Sequence, residues 1–334
     1  MTIATTVEKS PPRLAQPMAY GCDYDLQRWS GELAADRRWE SSFVVAREAE
    51  RVVGCLPVWH SASPAPPASP LTTQVAALGL AAGRRYLHLG SHSRLIGGAA
   101  VLERSDRWAV EQCLTALVGG ACEAARALGI QPVALYVPHG QLPAFLRSWP
   151  TPPTLHQAEV FSRIDVRLDS AGRLYHPSKR VREVWKRDAR DLVALGLTPA
   201  WQTIDGELIA EAAPLVAAVV SRNGRRTDHR LVAMELRRWW SFEPSTARAL
   251  VVRAADGRLI GATFARGYGK SLELYELGMS DTFGDRRSLY ATLGFVEPLR
   301  LAVATGMQTL ELGVGHPLPK RIRGAVQEPL WHIR

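Results

Sequence analysis

Lysine is nearly missing from this chain. Only five of its 41 basic residues are lysine (Lys9, Lys179, Lys186, Lys270 and Lys320), so the net charge of +9 is carried mainly by arginine, as a GC-rich coding sequence would produce. A pI near 9.7 favours a polyanionic partner, but where the charge clusters says more than its total. Cysteine is also sparse. Cys22, Cys55, Cys113 and Cys122 form no C-x-x-C pair and have no histidine at zinc spacing. Neither a disulfide framework nor a metal site is expected, and Cys113 and Cys122, on one predicted helix, should be buried thiols. No apolar run reaches the roughly 18 residues that a spanning helix needs. The first residues carry a charge pair and no signal-peptide core. Residues 1–19 therefore read as a disordered tail, and the protein as cytoplasmic with no membrane partner. There is no G-x-S-x-G and no cysteine beside a histidine, so no covalent nucleophile is apparent.

What is present is a soluble globular composition, 46% hydrophobic and 22% charged, long enough for two cores. The chain is organised around residues 250–323. Two apolar runs flank Asp256-Gly257, a hairpin signal. A third strand follows over 272–278, then a loop at 281–287. A helix runs over about 288–305 with Gly306 as its stop, and a last strand covers 308–312. The first part of this module has an echo. Residues 43–55 align without gaps to 250–262, matching Val44, Val45, Arg51 and Gly54 to Val251, Val252, Arg258 and Gly261. Residues 125–131 match 302–308, in the same order. Two ordered matches indicate two copies of one α/β domain, over 20–168 and 169–334.

The first copy is longer between its paired glycines, Gly54 to Gly129 against Gly261 to Gly306, and a proline-rich loop at 61–70 accounts for part of the excess. That loop is either a lid or inert. Helices are expected over 24–35, 106–128 and 142–148, and an alternating strand over 159–168. The second copy opens with a helix over 179–195, N-capped by Ser178. Six cations fall within it (Lys179, Arg180, Arg182, Lys186, Arg187 and Arg190) against Glu183 and Asp188. Such a stripe either grips nucleic-acid phosphates or is an ordinary solvated face. Further helices cover 206–220 and 231–240, joined by a cationic turn at 223–228. Trp239 and Trp240, beside Arg237 and Arg238, either stack nucleobases or fill a core.

Two copies of hairpin, strand, helix and strand resemble the tandem GNAT-type domains of Fem-type transferases, which attach an amino acid from aminoacyl-tRNA to an amine. Residues 177–182, the helix at 289–306, and Gly313 followed by Lys320 through Gly324 carry the likeness, which spans most of 40–330. Two departures matter. The segment 206–240 is too short for the coiled-coil hairpin of cell-wall members, which favours a small-molecule amine as acceptor, in a specialised pathway. The second copy also lacks, after its third strand, the R-x-x-G-x-G/A loop that cradles the pyrophosphate of acyl-CoA. The first copy has a loose version of that loop from Arg94 to Ala99, which also reads as a glycine turn. His88 and His92 beside it lack a third ligand for a metal.

The resemblance implies aminoacyl-tRNA as donor and no bound cofactor. The alternative is an acyl-CoA-dependent N-acyltransferase, and a third reading is a non-catalytic RNA-binding protein. An aminoacyl ester is already activated, so the enzyme must orient an amine and stabilise an oxyanion. The resemblance places Lys320 against the transferred carbonyl; otherwise it grips tRNA phosphate or is a surface lysine. Glu276 is the candidate proton acceptor. Tyr275 and Tyr290 would orient the acceptor, or else pack. Lys179, Arg180, Arg182, Lys186, Arg286, Arg287, Arg321 and Arg323 are the candidate tRNA or phosphate ligands. Arg286 and Arg287 stand at a predicted helix N-terminus, which favours anions.

Overall fold

The computed structural model describes residues 3–14, 18–20, 37–63, 75, 78–81, 83–90, 97–103, 106–194, 196–224 and 227–334. The helix expected at 24–35, most of the proline-rich loop, His92 and Arg94 lie outside them. The chain forms two units, one of Met1–Phe161 with Glu328–Arg334 and one of Ser162–Gln327.

In the first unit the order is β1 (Ile3–Glu8), β2 (Met18–Tyr20), β3 (Trp39–Glu48), β4 (Arg51–Ser61), β5 (Tyr86–Leu89) and β6 (Ala100–Leu102). Then come helix α1 (Arg107–Ala127), β7 (Gln131–Pro138), α2 (Leu142–Ser148) and the start of β8 (Leu155–Asp165). Residues 3–8 correct the expectation of a disordered tail. Their Ile, Thr and Val suit a strand, and β1 pairs antiparallel with β3, Ile3 opposite Glu48. The β3–β4 hairpin leads to β5, which runs parallel to β7 from Tyr86 opposite Gln131 to Leu89 opposite Ala134. Helix α1 makes the crossover. Val110, Cys113, Leu114, Leu117, Val118, Ala121, Cys122 and Ala125 form its buried stripe, and its N-cap Asp106 accepts from Trp108 N. Cys55, Cys113 and Cys122 are buried and outside any disulfide among the described residues, and burial pushes the Cys122 thiol up to about 11.

The second unit continues β8 and adds β9 (Arg167–Leu168), β10 (Leu174–Tyr175), α3 (Lys179–Ala194), β11 (Ala200–Gln202), α4 (Gly206–Arg222) and α5 (His229–Phe242). It then has β12 (Ala247–Arg253), β13 (Leu259–Tyr268), β14 (Ser271–Met279), α6 (Arg286–Ala291), a π-helical turn (Thr292–Val296), α7 (Glu297–Ala304), β15 (Thr309–Glu311) and α8 (Pro317–Arg321). Its sheet runs β11-β12-β13-β14-β15 and ends on β8, antiparallel except for β14 and β15. The π turn interrupts the expected single helix just before Pro298, which has no N–H for an i−4 bond. The last strand, β16 (Val326–Ile333), pairs with β7 of the first unit, Leu330 opposite Pro138.

The sequence repeat has a packing cause. A Cβ on Gly54 would stand 2.7 Å from Cys113 Sγ and 3.0 Å from Leu117 Cδ1, both on the crossover helix. One on Gly261 would stand 2.6 Å from Leu293 Cδ1 in the matching helix of its unit. Each glycine lets a helix lie close on its hairpin. The helix ends also correspond. Gly129 (φ 66°) and Gly306 (φ 69°) are left-handed stops, with Ile130 N donating to Ala125 O and Met307 N to Ala302 O, at 3.0 and 2.8 Å.

One buried group makes the first unit sensitive to acid. His332 on β16 packs edge-on to Tyr136 at 4.7 Å, and its Nε2 is buried without a hydrogen-bond partner among the described residues. Burial first, and the nearby His156 second, bring its pKa down to about 4. In the unfolded chain it takes up a proton near pH 6.5. The folded state refuses that proton, so stability is full above pH 6.5 and declines as the pH falls towards 4. The expected loss is about 2–3 kcal/mol. In calorimetric melts between pH 7 and 4, His332→Phe should flatten that part of the slope; an unaltered slope would clear His332.

Candidate functional site

The feature that sets the second unit's site is where its two parallel strands part. β14 and β15 pair only from Ser271 opposite Thr309 to Glu273 opposite Glu311. β14 runs on to Met279. Beyond Glu311 the other strand stays with β8: Leu312 N donates to Ser162 O at 2.9 Å, and Gly313 O accepts from Ser162 N at 3.0 Å. A wedge therefore opens between the second half of β14 and residues 312–315.

On the β14 side a bulge falls at Tyr275, because Glu276 pairs with Phe264 while Leu274 pairs with Ala265. The bulge breaks the alternation that would set Tyr275 and Glu276 on opposite faces. Tyr275 lies flat on Trp239, with ring centroids 4.8 Å apart and planes at 6°. Arg266, fully buried, holds its guanidinium 4.2 Å from the same indole and donates to Trp239 O. Trp239 is thus a core residue. The Trp-Trp pair was visible in the sequence, but Arg266 carried no signal, since one arginine in an apolar strand reads as an outward position. Glu276 is half-buried.

On the other side Lys320 is 6% exposed. Its Nζ donates to three successive carbonyls, Leu312 O at 2.8 Å, Gly313 O at 3.1 Å and Val314 O at 2.8 Å. The ammonium thus anchors the turn where the chain leaves β15. Gly313 (φ 65°), Gly315 (φ 75°) and His316 (φ 42°) are left-handed there, and His316 Nε2 lies 2.7 Å from Asn223 Oδ1. A left-handed histidine is strained backbone.

The expected phosphate ligands divide into two groups. Arg323 is engaged by the protein itself. It is buried, with Nε 2.7 Å from buried Asp188 Oδ2, NH1 donating to Pro319 O, and its guanidinium over Phe295 at 4.8 Å. Arg182 donates to His176 O and Pro177 O, tying down the start of α3. Arg286 pairs with Asp281 at 3.7 Å, and Asp281 also meets Arg222. Asp285 caps α6, its carboxylate accepting from Ser288 N and Oγ, which holds its pKa below the usual range. At the helix start offered to anions, the Ser288 N–H is already taken by a carboxylate. Tyr290 is a mostly buried ring against Phe295 at 5.5 Å, and burial raises its pKa. Lys179, Arg180, Lys186, Arg190, Arg287 and Arg321 are exposed, Lys186 meeting Glu183 at 3.1 Å.

The first unit treats its own wedge differently. There β5 and β7 part after Leu89 and Ala134, and residues 97–99 enter. Gly97 N donates to Tyr136 O at 2.8 Å. Ala99 N donates to Gln141 Oε1 and Ala99 O accepts from Gln141 Nε2, at 2.8 and 3.0 Å. The backbone donors that a pyrophosphate loop would present from Gly97 and Ala99 are bonded to the unit itself. Among the described residues no three His, Cys, Asp or Glu side chains group as metal ligands, and no helix is long and apolar enough to cross a membrane.

No protein-family model matches the chain, and no curated protein matches it in sequence. Solved structures do. The crystal structure of FemX is 11% identical, with a TM-score of 0.58, covering 97% of this chain and 93% of that one. A conserved protein of unknown function from Bacteroides thetaiotaomicron VPI-5482 is 10% identical, with a TM-score of 0.53, covering 92% and 90%. A tandem GNAT protein from the clavulanic acid biosynthesis pathway is 15% identical over 97% and 90%, at a TM-score of 0.49. At such identities the likeness to the first two is one of fold. With its glycine-matched hairpins, crossover helices and two parting strand pairs, the chain is a two-unit α/β protein that shares its fold with FemX.

Proposed function

We propose that the second unit transfers an aminoacyl group from aminoacyl-tRNA to the amine of a small-molecule acceptor, with no covalent enzyme intermediate. The observation that carries this reading is the cap at the start of α6. In a CoA-dependent enzyme of this fold a pyrophosphate would rest on the turn after the third strand. Here the ionised cap Asp285 stands in that turn, and its carboxylate already takes the Ser288 N–H that a diphosphate oxygen would need. The fold shared with FemX agrees with the Fem-type resemblance. The short α4 and α5 suit a small acceptor rather than a cell-wall polymer.

In this mechanism the wedge orients amine and ester, and orientation supplies much of the rate. Glu276, on the bulged strand, accepts the amine proton as the C–N bond forms and returns it to the tRNA ribose oxygen as the ester C–O bond breaks, so that the tRNA leaves as the hydroxyl. Tyr275, held flat by Trp239, gives the acceptor a fixed wall. The exposed cations of α3 guide the tRNA backbone.

Incubation with radiolabelled aminoacyl-tRNA, acetyl-CoA and an amine-containing extract tests the proposal. RNase-sensitive label transfer is the expected result, and transfer from acetyl-CoA alone would overturn it. The helix has its own test. Replacing Lys179, Arg180 and Lys186 together by Ala should weaken tRNA binding and lower the slope of log K against log salt by about 2–3. An unchanged slope in filter binding would make α3 a solvated face.

A further inference from the structure

The Lys320 turn has a second face. In a trans peptide the N–H points opposite to the C=O. The carbonyls of Leu312, Gly313 and Val314 converge on Lys320 Nζ. The amides in those same three peptides belong to Gly313, Val314 and Gly315, and they must point away from the ammonium. None of the three N–H groups has an acceptor among the described residues. The ground beside them is open, since a Cβ on Gly313 or Gly315 would meet nothing within 4 Å. Each peptide carries a dipole of about 3.5 D. With their negative ends on a buried cation, the positive ends face outward.

We infer that the backbone of residues 313–315, organised by Lys320, is a binding site for phosphate oxygens. Carbonyls that converge leave their amides spread apart. Spread donors suit oxygens strung along a chain, as in a phosphodiester or diphosphate, better than a single oxyanion. The exposed Arg321, on the helix that bears Lys320, adds a cation to the same segment. Lys320 is then a positioning residue, acting through the turn. Which phosphate the turn receives rests on the function proposed above: the 3′-terminal phosphodiesters of the donor RNA, rather than the diphosphate of CoA.

Amide NMR on the full-length protein tests the site without turnover. Inorganic pyrophosphate, the trinucleotide CCA and CoA are titrated in turn, and the Gly313 and Gly315 N–H signals followed. The expected result is a saturable downfield shift of both with pyrophosphate and with CCA. In Lys320→Met, with its melting checked by circular dichroism, the shift should fall several-fold. Signals at Gly313 and Gly315 that stay fixed with all three probes would overturn the inference and leave the transfer assay standing. Shifts with CoA and pyrophosphate but not CCA would keep the phosphate site and overturn the choice of donor. Equal shifts in wild type and a folded Lys320→Met would remove Lys320 from the site.

Discussion

Asp188→Ala should lower the stability of the second unit by about 3–5 kcal/mol. Asp188 and Arg323 are both nearly inaccessible, and their Nε–Oδ2 distance is 2.7 Å. Removing the carboxylate leaves a guanidinium buried over Phe295 with no charge to offset it. Losing the pair altogether is a different matter. Two ions replaced by apolar groups of similar volume are often neutral, so Asp188→Leu with Arg323→Met should recover most of the loss. Hydrogen exchange at second-unit amides reads that unit apart from the first. A cost below about 1 kcal/mol for Asp188→Ala would mean that water reaches the pair. The pair joins the middle of α3 to the segment after α8, so its loss should also loosen the helix that bears the exposed cations.

The second large effect is expected in catalysis at Lys320. If its ammonium faced the transferred carbonyl, removal would depress kcat and leave the donor KM unmoved. An ammonium held by three backbone carbonyls acts differently: losing it frees the turn, and on the proposed function the donor phosphates would then lose ordered amides. Hydrogen bonds to charged groups are worth about 1.5–3 kcal/mol each. Lys320→Met should therefore lower kcat/KM for the donor by about 100-fold, mostly through KM, with the acceptor KM unchanged. Lys320→Arg, which keeps the charge and can still bond two carbonyls, should recover part of it. A pure kcat loss would return Lys320 to the direct role that the resemblance implies.

Much of the architecture was legible because duplication repeats its own constraints. Gly54 and Gly261 are glycine because a helix presses on each, and Gly129 and Gly306 because each helix stops left-handed. Those are local causes and leave local marks. The site was less legible because its decisive facts are distant pairings. Arg323 looked like a free cation until Asp188, on another helix, came against it. Arg182 looked like part of a stripe until it turned back to two carbonyls. Lys320 was singled out through the likeness, but its direction depends on where three carbonyls eight to six residues earlier are aimed. The strand at 3–8 was missed because charged and proline neighbours hid its alternation. The return of β16 to the first unit has no sequence signal at all, since a strand near the end of a chain does not name its partner.

That return has a consequence for how the protein is made. On the ribosome residues emerge in order, so β7 waits for β16 while the whole second unit is synthesised. Until then its unpaired margin is a template for misassociation with other nascent chains. The half translated first is completed last, and a fragment cut after Phe161 would carry that open margin permanently.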